Sequence, residues 1–326
     1  MAKVTNLYAW GHSKRYNDFS SHFRKLFAER VQKVSVDAGF TCPNRDGTKG
    51  TGGCTYCNNK TFKPTYCNLE NNVSQQLEKG IRFFGKKYSS MKFLAYFQAY
   101  TNTYAPVGNL INLYEEALKN PNVIGLVIAT RPDCLTTDVI NYLQKLAENH
   151  YIMVEIGIES CENTTLEMIN RGHTFEDSEK AINLLYEAGI HSCAHLILGL
   201  PGEDRKTILR QAQVISRLPV ENLKLHQLQI HRDTLMARQY ERTPEIFNIY
   251  KTADEYIELV IDYIELLRPS IIIERFVSES PDEFLIAPNW GIKNFEFVAK
   301  VEKRLKERNT WQGKFYDKHN LHFKHN

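Results

Sequence analysis

Apolar residues along this chain switch between two periods. Tyr16, Phe19, Phe23 and Phe27 recur at spacings of three and four, which predicts an amphipathic helix over 16–28. Val31 to Val36 alternates instead, as a half-buried strand does. Residues 73–88 return to the helical period, with Val73, Leu77, Ile81 and Phe84 on one face. The two patterns then take turns. Strands are predicted over 93–97, 123–128, 152–158, 191–198 and 223–228, and helices over 107–119, 136–149, 204–218 and 249–267. Residues 163–189 hold a helical pattern broken near Gly172.

With the strand at 31–36 this makes six strand–helix units. Such alternation implies parallel strands joined by crossover helices. Several strands are almost continuously apolar, as strands covered on both faces are. Six units can close partly into a barrel or lie as an open doubly wound sheet, and both place chemistry at the C-terminal strand ends. The unusual residues collect there. The cysteines follow the first strand, Gln98 to Thr103 the second, and Thr130-Arg-Pro-Asp133 the third. Glu159 ends the fourth, Gly199-Leu-Pro-Gly-Glu203 follows the fifth, and His226 and Gln227 close the sixth. That clustering points to an enzyme. Beyond it, Ile271 to Arg275 fits a seventh strand or a flanking one, and 293–308 reads as a charged helix. Trp311 to Asn326 is polar, basic and aperiodic, which predicts a frayed or disordered tail. The expected division is a helical extension over 1–29, a barrel over 30–270, an extension packing on it over 271–310, and the tail.

Composition narrows this only a little. Of the 326 residues, 42% are hydrophobic and 24% charged, ordinary proportions for a globular enzyme. No apolar run reaches the roughly 18 residues of a membrane span. The N-terminal Met-Ala-Lys-Val-Thr-Asn lacks the core of a signal peptide. Seven cysteines, an odd number without a secretion signal, suit reduced thiols and predict a cytoplasmic protein. A net charge of +3 permits a nucleic-acid partner without indicating one.

The stretch Cys42-Pro-Asn-Arg-Asp-Gly-Thr-Lys-Gly-Thr-Gly-Gly-Cys54-Thr-Tyr-Cys57 carries the clearest chemistry. A closed zinc site takes four ligands, so three cysteines leave one metal position open. Iron–sulfur clusters usually take four cysteines, and three would leave one iron free for a substrate or cofactor. Thiolates suit both metals. A zinc site completed by Cys67 and a Cys-x-x-Cys redox pair are the alternatives. Gly50, Gly52 and Gly53 let the loop wrap a bulky group. Cys134, Cys161 and Cys193 fit buried small hydrophobes.

These cysteines, with Tyr56 just before the last, resemble the cluster motif of radical S-adenosylmethionine enzymes. Eleven residues separate the first two, where the commonest spacing is three. The long gap is similar to that of the group related to the catalytic subunit of Elongator. Further stretches resemble the smaller YhcC/YtqA-like group: Gly39-Phe-Thr-Cys-Pro-Asn-Arg-Asp-Gly47, Tyr96-Phe-Gln-Ala-Tyr100, Thr130-Arg-Pro-Asp133, Asn170-Arg-Gly-His173, His195-Leu-Ile-Leu-Gly-Leu-Pro-Gly-Glu203 and Lys224-Leu-His226. The resemblance spans roughly residues 30 to 290.

It implies a partial (β/α)6 barrel of the TIM type. It also implies a [4Fe–4S] cluster on Cys42, Cys54 and Cys57, whose free iron chelates S-adenosyl-L-methionine and cleaves it reductively to a 5′-deoxyadenosyl radical. A reductant such as flavodoxin or ferredoxin is the implied electron donor. By the same resemblance Tyr56 faces the adenine, Glu159 the ribose hydroxyls and Arg171 the methionine carboxylate, and the backbone at Ile197 to Gly199 meets the adenine. Relatives carry a Gly-Gly-Glu stretch after the second strand. This chain has Gln98 to Thr103 there, so Gln98, Thr101 and Asn102 take the place of that binding segment. Arg131, Asp133, Lys224 and His226 are the candidates for substrate contact or proton transfer, with Arg275 for an anionic substrate group. Relatives of the Elongator subunit modify wobble uridine in tRNA. The YtqA-like group is associated with turning 5-carboxymethylaminomethyl-uridine into 5-aminomethyl-uridine. Modified tRNA is therefore the implied substrate, with Lys14, Arg15, Arg24, Lys25 and the segment from Lys300 as a possible phosphate-binding rim. A small-molecule substrate and a zinc-stabilised interaction protein are the other readings. No pattern for acetyl-CoA binding, and hence for acetyl transfer, is present.

Overall fold

In the computed structural model, which describes residues 7–62, 64–85 and 91–317, the alternation becomes one parallel sheet. Its strands are β1 (Val31–Val36), β2 (Lys92–Phe97), β3 (Val123–Thr130), β4 (Tyr151–Glu159), β5 (His191–Leu198), β6 (Asn222–Gln227) and β8 (Ile272–Arg275). They lie side by side in that order and curl into a half-barrel with β1 and β8 as its two edges. β7 (Ile230–His231) and β9 (Leu285–Ala287) form a small antiparallel pair beside it. The segment at 271–275 is thus a seventh strand of the sheet, parallel to β6.

The helices begin where side-chain caps allow. Asp18 caps α1 (Phe19–Phe27), Thr136 caps α4 (Thr137–Ala147), and Asp204 caps α7 (Arg205–Arg217). Each cap satisfies a backbone N–H that would otherwise lack a partner. The helical pattern at 163–189 divides into α5 (Asn163–Met168) and α6 (Phe175–Glu187), the latter opened by a capping box of Thr174 and Asp177. A second box, Thr252 with Glu255, starts α9 at Ala253–Glu265, four residues later than periodicity alone places it. α2 (Val73–Gly85) and α3 (Val107–Leu118) follow the expected pattern, and residues 86–88 lie outside the described residues. α8 (Leu235–Arg242) was not expected. α10 (Asn294–Glu307) is the charged helix.

The segment from Trp311, expected to be frayed, packs as far as it is described. Gln312 is fully buried, donates to the carbonyls of Arg268 and Ile271, and accepts from the backbone N–H of Asn17. The N–H groups of Gly313 and Phe315 donate to Ile264 and Glu265 at the end of α9. A glutamine with backbone partners on two segments is a signal that hydrophobic periodicity cannot carry. Residues 318–326 lie outside the described residues.

The interior of the half-barrel is layered. At the N-terminal strand ends, Phe23 of α1 inserts among Leu94, Val127, Met153 and Cys193, with Phe19 and Phe27 beside it. α1 therefore plugs the bottom of the barrel between its edge strands, which it contacts on both sides. The next residues up the strands are charged. Lys33 of β1 reaches Glu155 of β4 and Glu274 of β8, each at 2.6 Å. Lys224 of β6 pairs with the same two carboxylates at 2.6 and 3.1 Å, and the Tyr96 hydroxyl donates to Glu155 at 2.6 Å. Lys33 thus ties together two edge strands that share no backbone ladder. Burial alone would raise the Glu155 carboxyl, but Lys224 and Lys33 outweigh it and hold it well below the usual range.

Candidate active site

Above the ionic layer the half-barrel opens into a cavity of about 640 Å³. Side chains of a strand alternate between faces, so residues two apart share this wall. Ser35, Gln98, Gly157 and Glu159, His195 and Ile197, and His226 face the cavity in this way, with the cysteine loop as its roof.

Cys42, Cys54 and Cys57 all line the cavity. No three of Cys42, Cys54, Cys57 and Cys67 bring their sulfurs within 4.8 Å of one another, whereas one zinc ion holds thiolates about 3.8 Å apart. The separation suits a larger thiolate-bound group than a single ion. Cys67 is engaged elsewhere, with its thiol 3.1 Å from the Ser35 carbonyl. The Cys54 sulfur receives Arg171 Nη1 at 3.5 Å and Asn44 Nδ2 at 3.7 Å, and the Cys57 sulfur receives Asn59 Nδ2 at 3.4 Å. Donors aimed at sulfur favour the thiolate form that a metal group requires, but at Cys57 burial and the neighbouring Cys54 outweigh them and push the thiol up to about 12.

Glu159 and Arg171 meet beside the cysteines, 3.5 Å apart. A register shift in β4 between Gly157 and Glu159, with Glu159 at φ +71°, turns the carboxylate into the site. Arg171 lies flat on β4 and donates to the Gly157 carbonyl at 2.6 Å. A Cβ at position 157 would stand 2.6 Å from the Arg171 guanidinium and 2.7 Å from the Glu159 carboxylate, so a larger residue there would shift the ends of both side chains. Each keeps a buried atom without a partner, Glu159 Oε2 and Arg171 Nε. Buried polar groups are seldom left so, which marks the spot as a place for a polar ligand.

The other expected residues divide. Tyr56, Gln98, Thr101 and Ile197 line the cavity. Asn102 is absorbed by backbone, donating to the carbonyls of Ala99 and Ala129. Gly199 lies outside the cavity lining. Its φ of +97° turns the chain out of β5, and a Cβ there would meet the Asn248 carbonyl at 2.9 Å. Of Arg131 and Asp133, expected to touch substrate, only Arg131 reaches the cavity lining, and both brace the cysteine loop. Arg131 is buried, pairs with Asp133 at 2.9 Å and donates to the Arg171 carbonyl at 2.7 Å, while Lys49 of the loop holds Asp133 at 2.7 Å. Asn44 of the same loop donates to the Asn170 carbonyl at 2.6 Å. The eleven-residue gap therefore has a physical role: it carries the residues that anchor the roof to β3 and to the Arg171 segment. Lys224, also expected at the substrate, lines the floor of the cavity, where the two carboxylates of the ionic layer hold its ammonium.

His226 does face the cavity, and its ring meets that of His195 edge-on at 4.0 Å. Burial, then His195 and nearby cations, hold His226 neutral far below the usual imidazole range, and burial lowers His195 as well. His195 was quoted only as part of a motif. Its alternation with Ile197 on β5 was the signal that could have assigned it to the cavity.

Most residues of the expected phosphate-binding rim have partners within the chain, Arg15 among them through Asn309 and the Thr310 carbonyl. Arg304 of α10 and Arg308 just beyond it pair with Glu258 of α9, Arg308 also with Asp262 and Glu265, and Lys300 pairs with Asp254. Lys14 is shared between Asp18 and Glu302. Arg24 and Lys25 are exposed, but on α1, which plugs the opposite end of the barrel from the cavity.

Comparison with known proteins settles the family. The Radical SAM superfamily model matches residues 45–213, just over half of the chain, and a Radical_SAM C-terminal domain model matches 220–307. The chain belongs to the radical SAM superfamily. The superfamily match begins at Arg45, inside the long loop and beyond Cys42, where this chain departs from the common spacing. YtqA of Bacillus subtilis (strain 168) is 38% identical over 305 residues, 94% of each chain. A tRNA uridine(34) acetyltransferase of Methanocaldococcus jannaschii is 41% identical over 81 residues, 25% of this chain and 14% of that protein. Among solved structures, the archaeal Methanocaldococcus infernus Elp3 with an N-terminal deletion superposes at a TM-score of 0.63 with 19% identity, over 86% of this chain and 64% of that one. That likeness concerns the fold, a partial barrel shared across radical SAM enzymes. Radical SAM enzymes use a [4Fe–4S] cluster and S-adenosylmethionine, and they need an electron donor. The described residues contain no helix long and apolar enough to cross a membrane.

Proposed function

We propose that this radical SAM enzyme acts on a modified wobble uridine of tRNA, converting 5-carboxymethylaminomethyl-uridine to 5-aminomethyl-uridine. Cys42, Cys54 and Cys57 would hold the cluster, and the unsatisfied Glu159–Arg171 pair would receive S-adenosylmethionine beside it, carboxylate to ribose hydroxyls and guanidinium to the methionine carboxylate. When bound, the cluster supplies the electron for cleaving the cofactor, chemistry that no side chain here can perform. The protein's own part is to position, to exclude water and to leave room for a second molecule.

The observation that carries the chemistry is the adjacency of three cavity-lining cysteines to a buried ion pair with atoms left over. The choice of tRNA is supported by the uridine-34 enzyme matched over 81 residues. Acetyl transfer does not come with it, since the match covers 14% of that protein. The test is a comparison of modified nucleosides in total tRNA from cells with and without the gene. Accumulation of 5-carboxymethylaminomethyl-uridine in the deletion strain is the expected result, and an unchanged nucleoside profile would refute it.

One observation favours a second reading, a small-molecule substrate: Lys300 and Arg304 of α10, and Arg308 just beyond it, are paired with acidic residues of α9. Filter binding separates the two. Retention of tRNA that weakens steeply with salt supports the first, and no retention at low salt supports the second.

A further inference from the structure

The charges inside the half-barrel nearly cancel. Lys33 and Lys224 face Glu155 and Glu274, so the ionic layer is neutral and each member has opposite partners. Arg275, the residue after Glu274 at the end of β8, lies on the cavity wall outside that balance. Among the described residues no hydrogen bond or ion pair engages its guanidinium. Its field reaches Lys224, His195 and His226, and it helps to hold both imidazoles neutral. Nε2 of each histidine is buried without a partner.

We infer that Arg275, with His195 and His226 beside it, forms a second subsite in the cavity that binds a carboxylate of the substrate. A guanidinium presents paired N–H donors in the plane that a carboxylate accepts. A neutral imidazole adds a donor without adding charge. The neighbouring Glu274 and Glu155 disfavour a dianion and leave a monoanion as the better guest. Arg171, by contrast, is committed to Gly157, Cys54 and Glu159 at the cysteine loop, so the two arginines divide the cavity between cofactor and substrate. The identity of the substrate rests on the function proposed above, whose uridine carries a carboxymethylamino group. The carboxylate subsite rests on Arg275 and the histidines alone.

The test uses holoenzyme with its cluster and S-adenosylmethionine bound, as wild type, Arg275→Gln and Arg275→Lys, each checked for iron content. Sarcosine, a free carboxymethylamine, is titrated by calorimetry with inorganic phosphate as the competing anion. Wild type is expected to bind sarcosine at least about 30-fold more tightly than Arg275→Gln, the loss typical of truncating one partner of a buried charge pair, with Arg275→Lys between them. Equal affinity in wild type and Arg275→Gln, or no binding to either, overturns the subsite. So does displacement of sarcosine by phosphate that depends on Arg275, which would assign the residue to the nucleic-acid backbone. Loss of S-adenosylmethionine binding in Arg275→Gln with iron retained would assign it to the cofactor and also overturn the inference. Turnover of tRNA bearing 5-carboxymethylaminomethyl-uridine is measured in parallel. Arg275-dependent sarcosine binding without that turnover removes the proposed reaction and keeps the subsite. Turnover that is the same in Arg275→Gln removes the subsite and keeps the reaction.

Discussion

Two polar regions lie a few residues apart along the same strands, and they differ in how completely their groups are satisfied. In the ionic layer, Lys33 and Lys224 each touch both carboxylates, and Tyr96 donates to Glu155. At the roof, Glu159 Oε2 and Arg171 Nε have no partner, and three cysteine sulfurs stand too far apart to share one ion. Both regions are buried, so burial does not separate them. Satisfaction does. A saturated network rigidifies what it connects, whereas a buried pair with atoms left over is shaped for something that arrives later. On this view the lower layer holds the open barrel's edges together and the upper one is the place proposed for the cofactors.

The largest effect that would break this contrast is at the roof. Cys54→Ala is expected to abolish S-adenosylmethionine cleavage and to lower iron from about four per chain, with Cys42→Ala and Cys57→Ala behaving alike. Cys67→Ala keeps its iron, because that thiol is turned to the Ser35 carbonyl. Iron and sulfide analysis of anaerobically purified protein decides it. A colourless wild-type protein with one zinc would remove the cluster reading altogether.

The next effect is on stability and belongs to the lower layer. Glu155→Gln leaves two buried ammonium groups facing the one remaining carboxylate, Glu274. Breaking a buried pair by removing one partner costs about 3–5 kcal/mol. Urea unfolding is expected to show that loss in the variant. A loss below about 1 kcal/mol would mean that the layer is not a clasp, and that its charges serve the cavity instead.

The sequence made the architecture legible because strands buried on both faces and amphipathic helices have different periods, and six units repeat that contrast. The cysteines were legible as a motif for a similar reason, since their residue type and order carry the chemistry. The roles of Arg131 and Asp133 were not. Both sit at a strand end where catalytic residues collect, and only the fold shows that Lys49 and the Arg171 carbonyl consume them. The partners of Lys224 were not legible either, because they lie 69 and 50 residues away in sequence, on β4 and β8. Pairing between distant strands leaves no local trace. The packed segment after Trp311 escaped because buried glutamine and backbone contacts look polar in sequence.

The contrast between satisfied and unsatisfied groups has a boundary case away from the cavity, and it gives the smallest of these effects. Glu203 is fully buried, accepts from the Ser160 hydroxyl, and leaves Oε2 without a partner. It does not line the cavity, so no ligand is available to complete it. Protonation is the alternative. Burial pushes its carboxyl up to about 7, against the smaller opposing effect of the Ser160 hydroxyl. An acid raised in the folded state is stabilising while protonated, so its contribution is intact below its unfolded value of about 4.5 and is lost as pH rises toward 7. A displacement of that size corresponds to about 3 kcal/mol at most. Glu203→Gln keeps the shape of the protonated acid and cannot ionise. It is therefore expected to match wild type near pH 4.5, to exceed it progressively above that, and to hold a constant advantage beyond about pH 7. Thermal unfolding of the two proteins across that range reads the difference directly. Parallel curves would mean that Glu203 is ionised in the folded protein and that its free oxygen, like those of Glu159 and Arg171, waits for a partner.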